Sequence, residues 1–297
     1  MSRLIFGCNV SISAGAGSDP IRDAREAERA GFDFVSVNDH PAVGGPVREA
    51  WTLLSWIAAK TERIAVAPRV LSVPLRLPAV VAKACETLDR LSGGRVILAL
   101  GSGGSPDELA HLGVSSSSAA DRTTALEEAV RITRGCWGGE AFSYSGEVYR
   151  VVNLQLDPKP ERRIPIWLGT FGRRGLALAG TLADGWIPSL GYGPENELPV
   201  MRARVVEAAL VAGRSEHDVR CVLNLGIHLG RDGTADAGSL VGESKRVVEG
   251  LNRFVEMGFS GFNLVPEGDD VDVQVRALGD EVVPKVRDFA GSFASGR

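Results

Sequence analysis

Short apolar segments alternate with amphipathic segments along the whole chain. The apolar segments are bounded by Gly, Pro or polar residues, which is typical of buried parallel strands. Eight of them are predicted strands, at residues 4–9, 34–37, 64–71, 96–100, 164–168, 185–188, 220–229 and 261–265. Predicted helices cover residues 21–30, 49–60, 78–91, 107–111, 122–137, 173–181, 195–212, 244–257 and 281–290. The pattern therefore consists of strand–helix units from one end to the other.

This order of elements predicts the architecture. Repeated strand–helix units require a parallel sheet with right-handed crossovers. Eight such units favour a closed (β/α)8 TIM barrel, an α/β fold, over an open doubly wound sheet, which usually has fewer strands. Residues 141–156 alternate between apolar and polar around Ser145 and Gly146, which predicts a β-hairpin inserted between units four and five, at about 138–160. We expect residues 1–297 to form a single domain.

Composition narrows the class of protein. The 297 residues are 44% hydrophobic and carry a net charge of −4, with the positive charges scattered, which argues against a nucleic-acid-binding surface. The four cysteines lie far apart without a CxxC motif, so neither a disulfide framework nor a zinc site is predicted. Residues 1–10 do not resemble a signal peptide, and the chain has no apolar stretch of transmembrane length. We expect a cytoplasmic protein with no membrane partner.

Candidate chemistry follows the strands, because barrels of this kind place their active sites at the C-terminal strand ends. Asn38, Asp39 and His40 come directly after the second strand. A histidine there can exchange protons near neutral pH, and an adjacent carboxylate can fix its tautomer. The alternative is a structural histidine.

A glycine-containing loop follows the fourth strand. Gly101, Ser102, Gly103 and Gly104 do not form a dinucleotide-binding fingerprint, because the sixth position of that pattern is Pro106. The loop is either a tight turn or a place where missing side chains let a flat ring system approach the backbone.

A second such loop follows the fifth strand and leads into a helix. Gly169, Thr170, Phe171 and Gly172 precede the helix predicted to begin at Arg173. Backbone N–H groups and the positive end of the helix dipole favour a phosphate at such a place. A plain turn between strand and helix is the alternative.

The residues that metal-dependent enzymes and Schiff-base aldolases need are missing from the predicted strand ends. The strand ends show neither a His-x-His motif nor clustered carboxylates, so no metal is predicted. None of the five lysines stands at a strand end, as a Schiff-base aldolase would require.

The order of motifs resembles the luciferase-like flavin and deazaflavin oxidoreductases, from about Phe6 to Arg287. The resemblance is carried by residues 31–33, 38–40, 86–95, 100–103, Arg122 and Glu127, and by residues 137–140, 165–169 and 183–186.

This resemblance implies a dimeric barrel with insertions that binds FMN or coenzyme F420 at its C-terminal face. His40 would assist hydride transfer beside the cofactor ring, with Asp39 next to it. Glu108 resembles the acidic residue that the family carries after strand four, and is the second catalytic candidate. The cofactor would contact Gly101, Ser102 and Gly103 after strand four and Gly169, Thr170, Phe171, Gly172 and Arg173 after strand five. A non-proline cis peptide behind the ring is expected at Ser72–Val73, which makes Ser72 and Val73 cofactor-binding candidates.

The resemblance predicts an F420-dependent oxidoreductase that moves hydride to or from a small organic substrate. One alternative is an FMN-dependent monooxygenase of a two-component system, and another is a non-catalytic flavin- or deazaflavin-binding protein. A homodimer is expected, and a separate flavin or F420 reductase is a candidate partner. The family's sugar-phosphate dehydrogenases carry an acidic residue after strand one and a Trp soon after the histidine. This chain has Ser11, Ser13 and Gly44 instead, so a sugar-phosphate substrate is not predicted.

Overall fold

Twelve strands and ten α-helices occur in the computed structural model, which describes residues 3–42, 44–230, 238–268 and 270–295. The strands are β1 Ile5–Asn9, β2 Phe34–Val37, β3 Ala65–Pro68, β4 Leu71–Ser72, β5 Leu98–Gly101, β6 Phe142–Ser145, β7 Arg150–Leu154, β8 Ile166–Gly169, β9 Gly185–Trp186, β10 Arg220–Leu229, β11 Ser239–Gly242 and β12 Gly261–Pro266. The helices are α1 Pro20–Arg29, α2 Ala50–Lys60, α3 Pro78–Leu91, α4 Pro106–His111, α5 Ala119–Cys136, α6 Arg173–Leu182, α7 Leu198–Val211, α8 Ser244–Glu256, α9 Val271–Ala277 and α10 Val283–Ser295.

Eight of these strands close into a parallel barrel, as predicted. Hydrogen-bonded pairing runs from β3 through β2, β1, β12, β10, β9 and β8 to β5. The ring closes between β5 and β3 through a parallel bridge that joins Val66 and Val96. There the Val66 amide donates to the Arg95 carbonyl at 2.9 Å, and the Ile97 amide donates to the Val66 carbonyl at 3.0 Å. The (β/α)8 prediction is confirmed.

Apolar side chains fill the barrel and the layer between strands and helices. Every residue of β2 and β5 is buried, as continuous apolar strands in a parallel sheet require. Gly7 on β1 provides space rather than contact, because a Cβ there would overlap the Phe34 ring and lie 2.6 Å from Asn263 Oδ1. The packing of the core therefore requires a glycine beside the Phe34 ring as well as large apolar side chains.

The outer helices begin where the sequence supplies a cap. The Asp19 carboxylate accepts hydrogen bonds from the amides of Ile21 (3.2 Å) and Arg22 (3.0 Å), and Pro20 takes the first position of α1. None of the helices in the described ranges is long and apolar enough to cross a lipid bilayer.

The predicted hairpin is present as β6 and β7, between α5 and β8. It is attached to α5 through the buried Glu128, whose carboxylate accepts from the amides of Glu147, Val148 and Tyr149. One helix residue therefore fixes the turn of the inserted hairpin against the barrel.

The end of the third strand differs from the prediction. The strand stops at Pro68, and a non-proline cis peptide follows at Arg69–Val70 instead of Ser72–Val73, so that prediction was wrong. The ladder to β2 ends where the Arg69 amide donates to the Val37 carbonyl at 2.7 Å. The chain therefore turns three residues earlier than an uninterrupted apolar strand would.

Three short elements were not predicted: β4, β11 and α9. The first two are short strands that pair with β5 and β10, respectively. Their length and their polar or glycine residues give too little periodicity for a prediction.

Candidate active site

A cavity of about 940 Å³ opens at the C-terminal ends of the barrel strands. Eleven of the thirteen predicted site residues line it: Asp39, His40, Ser72, Gly101, Ser102, Gly103, Gly169, Thr170, Phe171, Gly172 and Arg173. Glu108 lies behind His40, and Val73 borders a small void with Arg76 and Val81. Val73 is displaced because the chain turns at Arg69–Val70, before Ser72 is reached.

His40 and Glu108 form a pair at the cavity edge. His40 Nδ1 is 2.8 Å from Glu108 Oε2, and the amide of Ala42 donates to Glu108 Oε1 at 3.2 Å. The Glu108 side chain is 7% exposed, whereas that of His40 is 38% exposed. An ionised carboxylate only accepts, so the pair places the proton on Nδ1 and leaves Nε2 for a molecule in the cavity. A Cβ at Gly104 would lie 2.9 Å from His40 Cε1, so this glycine makes room for the ring.

Asp39 holds the neighbouring loop. Its fully buried carboxylate accepts from the Ser72 amide at 2.8 Å and from both terminal nitrogens of Arg76, at 2.6 and 3.0 Å. Arg76 also contacts Glu49. Burial lowers the pKa of the Arg76 guanidinium, but the two carboxylates outweigh burial and the net shift is upward. The bonds of Asp39 therefore fix the loop after β3 as part of the cavity wall.

The Val70 side chain covers the ends of two strands. A Cβ at Gly101 would overlap Val70 Cγ2, and a Cβ at Gly169 would lie 3.0 Å from Val70 Cγ1. The loop that begins at Gly101 was expected to admit a flat ring, and the loop that begins at Gly169 to bind a phosphate. Each glycine also leaves the space that Val70 fills. Val70, Gly101 and Gly169 thus form an apolar part of the cavity wall, which we call the floor.

The loop before α6 has the features of an anion site. Gly172 is the N-cap of α6 and has no side chain to occupy the first helical amides. Gly175 packs on Thr170, where a Cβ would lie 2.8 Å from the threonine Cβ. Thr170 Oγ1 and Arg122 Nε are buried atoms without a hydrogen-bond partner in the described residues, and Arg173 is exposed at the helix start. These orphaned donors fit the phosphate of a cofactor at the position predicted from the sequence.

Several cavity residues were missed by the sequence analysis. They include Arg69, Arg122, Ser189, Tyr192, Asn224 and Glu267. Asn224 belongs to a buried hydrogen-bond chain: Ser36 Oγ donates to Asn263 Oδ1 (2.9 Å), Asn263 Nδ2 to Asn224 Oδ1 (2.7 Å), and Asn224 Nδ2 to Ser189 Oγ (2.8 Å). An Asn in the middle of each of two apolar strands, β10 and β12, is a signal that could have revealed this chain. Tyr192 stacks on Phe171, with ring centroids 5.1 Å apart.

The cavity has no metal-binding cluster among the described residues, and its positive charges are arginine side chains. Across the described ranges, no group of three or more His, Cys, Asp or Glu is placed to hold a metal ion. Arginine is abundant: Arg174 pairs with Glu127 at 3.1 Å, and Arg69, Arg122 and Arg173 have no carboxylate partner in the part of the chain that the structure describes. The cavity is therefore suited to an anionic occupant.

Comparison with known proteins gives consistent results. The model of a family described as luciferase-like monooxygenase matches residues 11–237. An F420-dependent glucose-6-phosphate dehydrogenase of Microbacterium testaceum is 28% identical, over 88% of this chain and 91% of the relative. An enzyme of the same description from Amycolatopsis mediterranei is 30% identical, over 77% of this chain and 70% of the relative. The structure of an F420-dependent secondary alcohol dehydrogenase in complex with an F420–acetone adduct superimposes with a TM-score of 0.86 at 21% identity, covering 96% of this chain and 100% of that one.

Proposed function

Because the chain belongs to the luciferase-like monooxygenase family, we propose that it transfers hydride between coenzyme F420 and a small organic substrate. The sequence-based prediction of an F420-dependent oxidoreductase is confirmed by relatives described as F420-dependent dehydrogenases. The observation that carries the assignment of the site is that one cavity contains both the His40–Glu108 pair and the open loop before α6. The first suits proton transfer and the second suits a phosphate.

The described residues divide between the two tasks. The amides at the start of α6, Thr170 Oγ1, Arg122 and Arg173 would hold the phosphate of the coenzyme, and the floor of Val70, Gly101 and Gly169 would support its ring. F420, when bound, supplies a carbon centre that accepts or donates hydride. Proton transfer and the positioning of the reacting groups would be carried out by protein side chains.

His40 Nε2 would accept the proton of a substrate hydroxyl when hydride leaves, and return it in the reverse direction. Glu108 stabilises the imidazolium that forms, because its buried carboxylate stays hydrogen-bonded to Nδ1. Asp39 acts one step further away, by holding the loop after β3 through Arg76 and Ser72.

We propose that the substrate is not glucose 6-phosphate, the compound in the names of the relatives. Ser13 stands where the resemblance leads us to expect an acidic residue, and its groups serve the loop after β1. Its hydroxyl accepts from the Gly15 amide at 3.2 Å, and its carbonyl accepts from Ser18 Oγ at 2.6 Å. Gly44 replaces the expected Trp.

The test is an absorbance assay with the purified chain, F420 and a panel of alcohols and hydroxy acids, together with glucose 6-phosphate. We expect F420 to be reduced by at least one member of the panel and not by glucose 6-phosphate, at the same rate with and without oxygen. A reaction that needs FMN and consumes oxygen would favour the monooxygenase alternative.

We further propose that residues 1–297 act as one domain in the cytoplasm and assemble as a homodimer through the region of α2. On this helix Trp56 is 56% exposed and its ring lies under the Lys60 ammonium, whereas Leu53, Leu54 and Ile57 are buried in the core. An exposed tryptophan is a typical contact residue. Sedimentation of a monomer at micromolar concentration would contradict the dimer.

A further inference from the structure

Arg69 is a cation without a protein partner in the cavity. In the part of the chain that the structure describes, its side chain forms neither a hydrogen bond nor an ion pair, and its Nε is shielded from solvent. Burial lowers the pKa of this guanidinium and the nearby Tyr192 opposes that shift, but an arginine stays charged at neutral pH. The residue is half-buried, and an unpaired charge at such a place is costly unless something else neutralises it.

The carboxylates around the cavity are already engaged elsewhere. Asp39 is bound by Arg76, Glu108 is bound by His40, and Glu267 accepts from Ser239 Oγ at 2.7 Å. The positive charge of Arg69 is therefore available to a molecule that enters the cavity.

Arg69 and His40 line the same cavity. The Arg69 amide is bonded to the carbonyl of Val37, the last residue of β2, and His40 follows three residues later. The anion-binding groups proposed for the cofactor phosphate, Thr170 and Arg173, belong to the loop after β8 and the start of α6. A substrate that enters this cavity therefore meets the charge of Arg69 as well as the imidazole of His40.

We propose that Arg69 binds the carboxylate of the substrate, so that the substrate is a small hydroxy acid or the corresponding oxo acid. This assignment rests on the hydride transfer proposed above. In the oxidative direction the C–H bond breaks, and its hydrogen leaves with the electron pair to oxidised F420. The hydroxyl proton passes to His40 Nε2, and the hydroxyl carbon becomes a carbonyl. The acid is oxidised and the coenzyme is reduced.

The chemistry of one unpaired arginine favours a carboxylate over a phosphate. A guanidinium presents two parallel N–H groups that match a carboxylate, and a single positive charge balances a single negative one. A phosphate dianion would need a second cation. Arg76 is held by Asp39 and Arg174 by Glu127. Arg122 and Arg173 are assigned to the phosphate of the coenzyme.

The test is calorimetric titration of the full chain, free and saturated with F420, with matched probes. The probes are acetate and acetamide, lactate and lactamide, benzoate and benzamide, and inorganic phosphate. We expect at least one carboxylate to bind at least about tenfold more tightly than its amide. Arg69→Met should abolish this preference, and Arg69→Lys should keep part of it. Arg173→Met removes the same charge from the cofactor side and should leave the preference intact while weakening F420 binding.

Arg69→Met should fold, because it removes an unpaired charge and keeps an apolar stem, and its melting temperature should match or exceed that of the parent chain. Three results would overturn the proposal: no carboxylate preference that depends on Arg69, a dependence on Arg69 for phosphate alone, or a loss of F420 affinity in Arg69→Met with the preference unchanged. Failure of the parent chain to bind F420 would contradict the proposed function instead, since carboxylate binding is measured separately on the free protein.

Discussion

At the scale of single residues, the polar groups of the candidate site differ in whether they already have a hydrogen-bond partner within the protein. Glu108 is occupied by His40 and by the Ala42 amide, and Asp39 by Arg76 and the Ser72 amide. His40 keeps Nε2 for the cavity. Of these three side chains, only His40 keeps a ring nitrogen for a molecule in the cavity, whereas Asp39 and Glu108 hold their neighbours in position.

His40→Asn should lower turnover by about 10²–10⁴, the usual effect of losing an acid/base group, with the F420 dissociation constant changed far less. Glu108→Gln acts through His40, so the double variant should be hardly slower than His40→Asn alone. Turnover, F420 affinity and melting temperature measured on all three variants test this. A His40→Asn protein that is folded, binds F420 and turns over at the parent rate would rule out the catalytic role.

At the residue scale, the sequence was sufficient to predict which strand ends would line the cavity, because eleven of the thirteen predicted residues lie there. The positions of Asp39, His40 and the two glycine loops follow from the rule that barrel chemistry sits at C-terminal strand ends. Arg69 and Asn224 could not be found in the same way. Asn224 is bonded to Ser189 and Asn263, which are distant in the sequence, and Arg69 has no carboxylate partner among the described residues. His40 and Glu108 are 68 residues apart, so their pairing follows from the fold and not from the local sequence.

At the scale of secondary-structure elements, the start of α6 is the feature to which we assign the binding of the cofactor phosphate. The N-cap is a glycine without a capping side chain, so the first amides of the helix remain available. A side chain at Gly172 would meet no protein atom within 4 Å. Any effect of a larger residue on affinity would therefore report what occupies that open space.

Gly172→Val should raise the F420 dissociation constant at least about tenfold, roughly 1.4 kcal/mol, because the new side chain would compete with the phosphate. Gly139→Val is the matched control, since its Cβ also meets no protein atom and it lies outside the cavity lining. Fluorescence titration compares the two. Equal affinity in both variants would mean that the phosphate binds elsewhere.

A second element-scale feature is the junction that leads into β3. The Glu28 carboxylate on α1 accepts from the amides of Glu62 (3.0 Å), Arg63 (2.6 Å) and Ile64 (2.9 Å). Burial raises the pKa of Glu28, but the three backbone hydrogen bonds outweigh burial and the net shift is downward from 4.5. Glu28 therefore stabilises the fold in its ionised form.

Glu28→Gln should lower the free energy of unfolding by about 1–3 kcal/mol at pH 7. Because the pKa is depressed in the folded state, this stabilisation is fully present above the unfolded value and is lost as the pH falls through the folded value. Denaturant melts between pH 7 and pH 3 should thus show a gap between parent and variant that narrows below about pH 4.5. The exposed Glu62→Gln is the control, with a change within about 0.5 kcal/mol. A gap that does not depend on pH would contradict the role of the Glu28 charge.

At the scale of the whole molecule, the alternation of strands and helices was sufficient to predict a closed barrel. Parallel strands buried on both faces give clear apolar runs, and seven of the eight strand–helix junctions could be placed within a few residues. The exception follows β12, where α9 begins at Val271 although the next helix was predicted to begin at residue 281. Short edge strands such as β11 escaped prediction, because four residues carry too little periodic information.

The barrel also explains why one cavity combines separate sequence motifs. The parallel strands all present their C-terminal ends to the same face, so loops after β2, β3, β5, β8 and β9 meet there. Fold likeness at 21% identity concerns this framework alone, whereas the choice of cofactor depends on the loops. The account therefore depends most directly on which cofactor the loops bind.

The most direct test is equilibrium titration of the purified chain with F420 and with FMN under identical conditions. We predict that F420 binds at least about tenfold more tightly than FMN, and that Gly172→Val removes most of this difference. Tighter binding of FMN, or no binding of F420 by the folded parent chain, would contradict it.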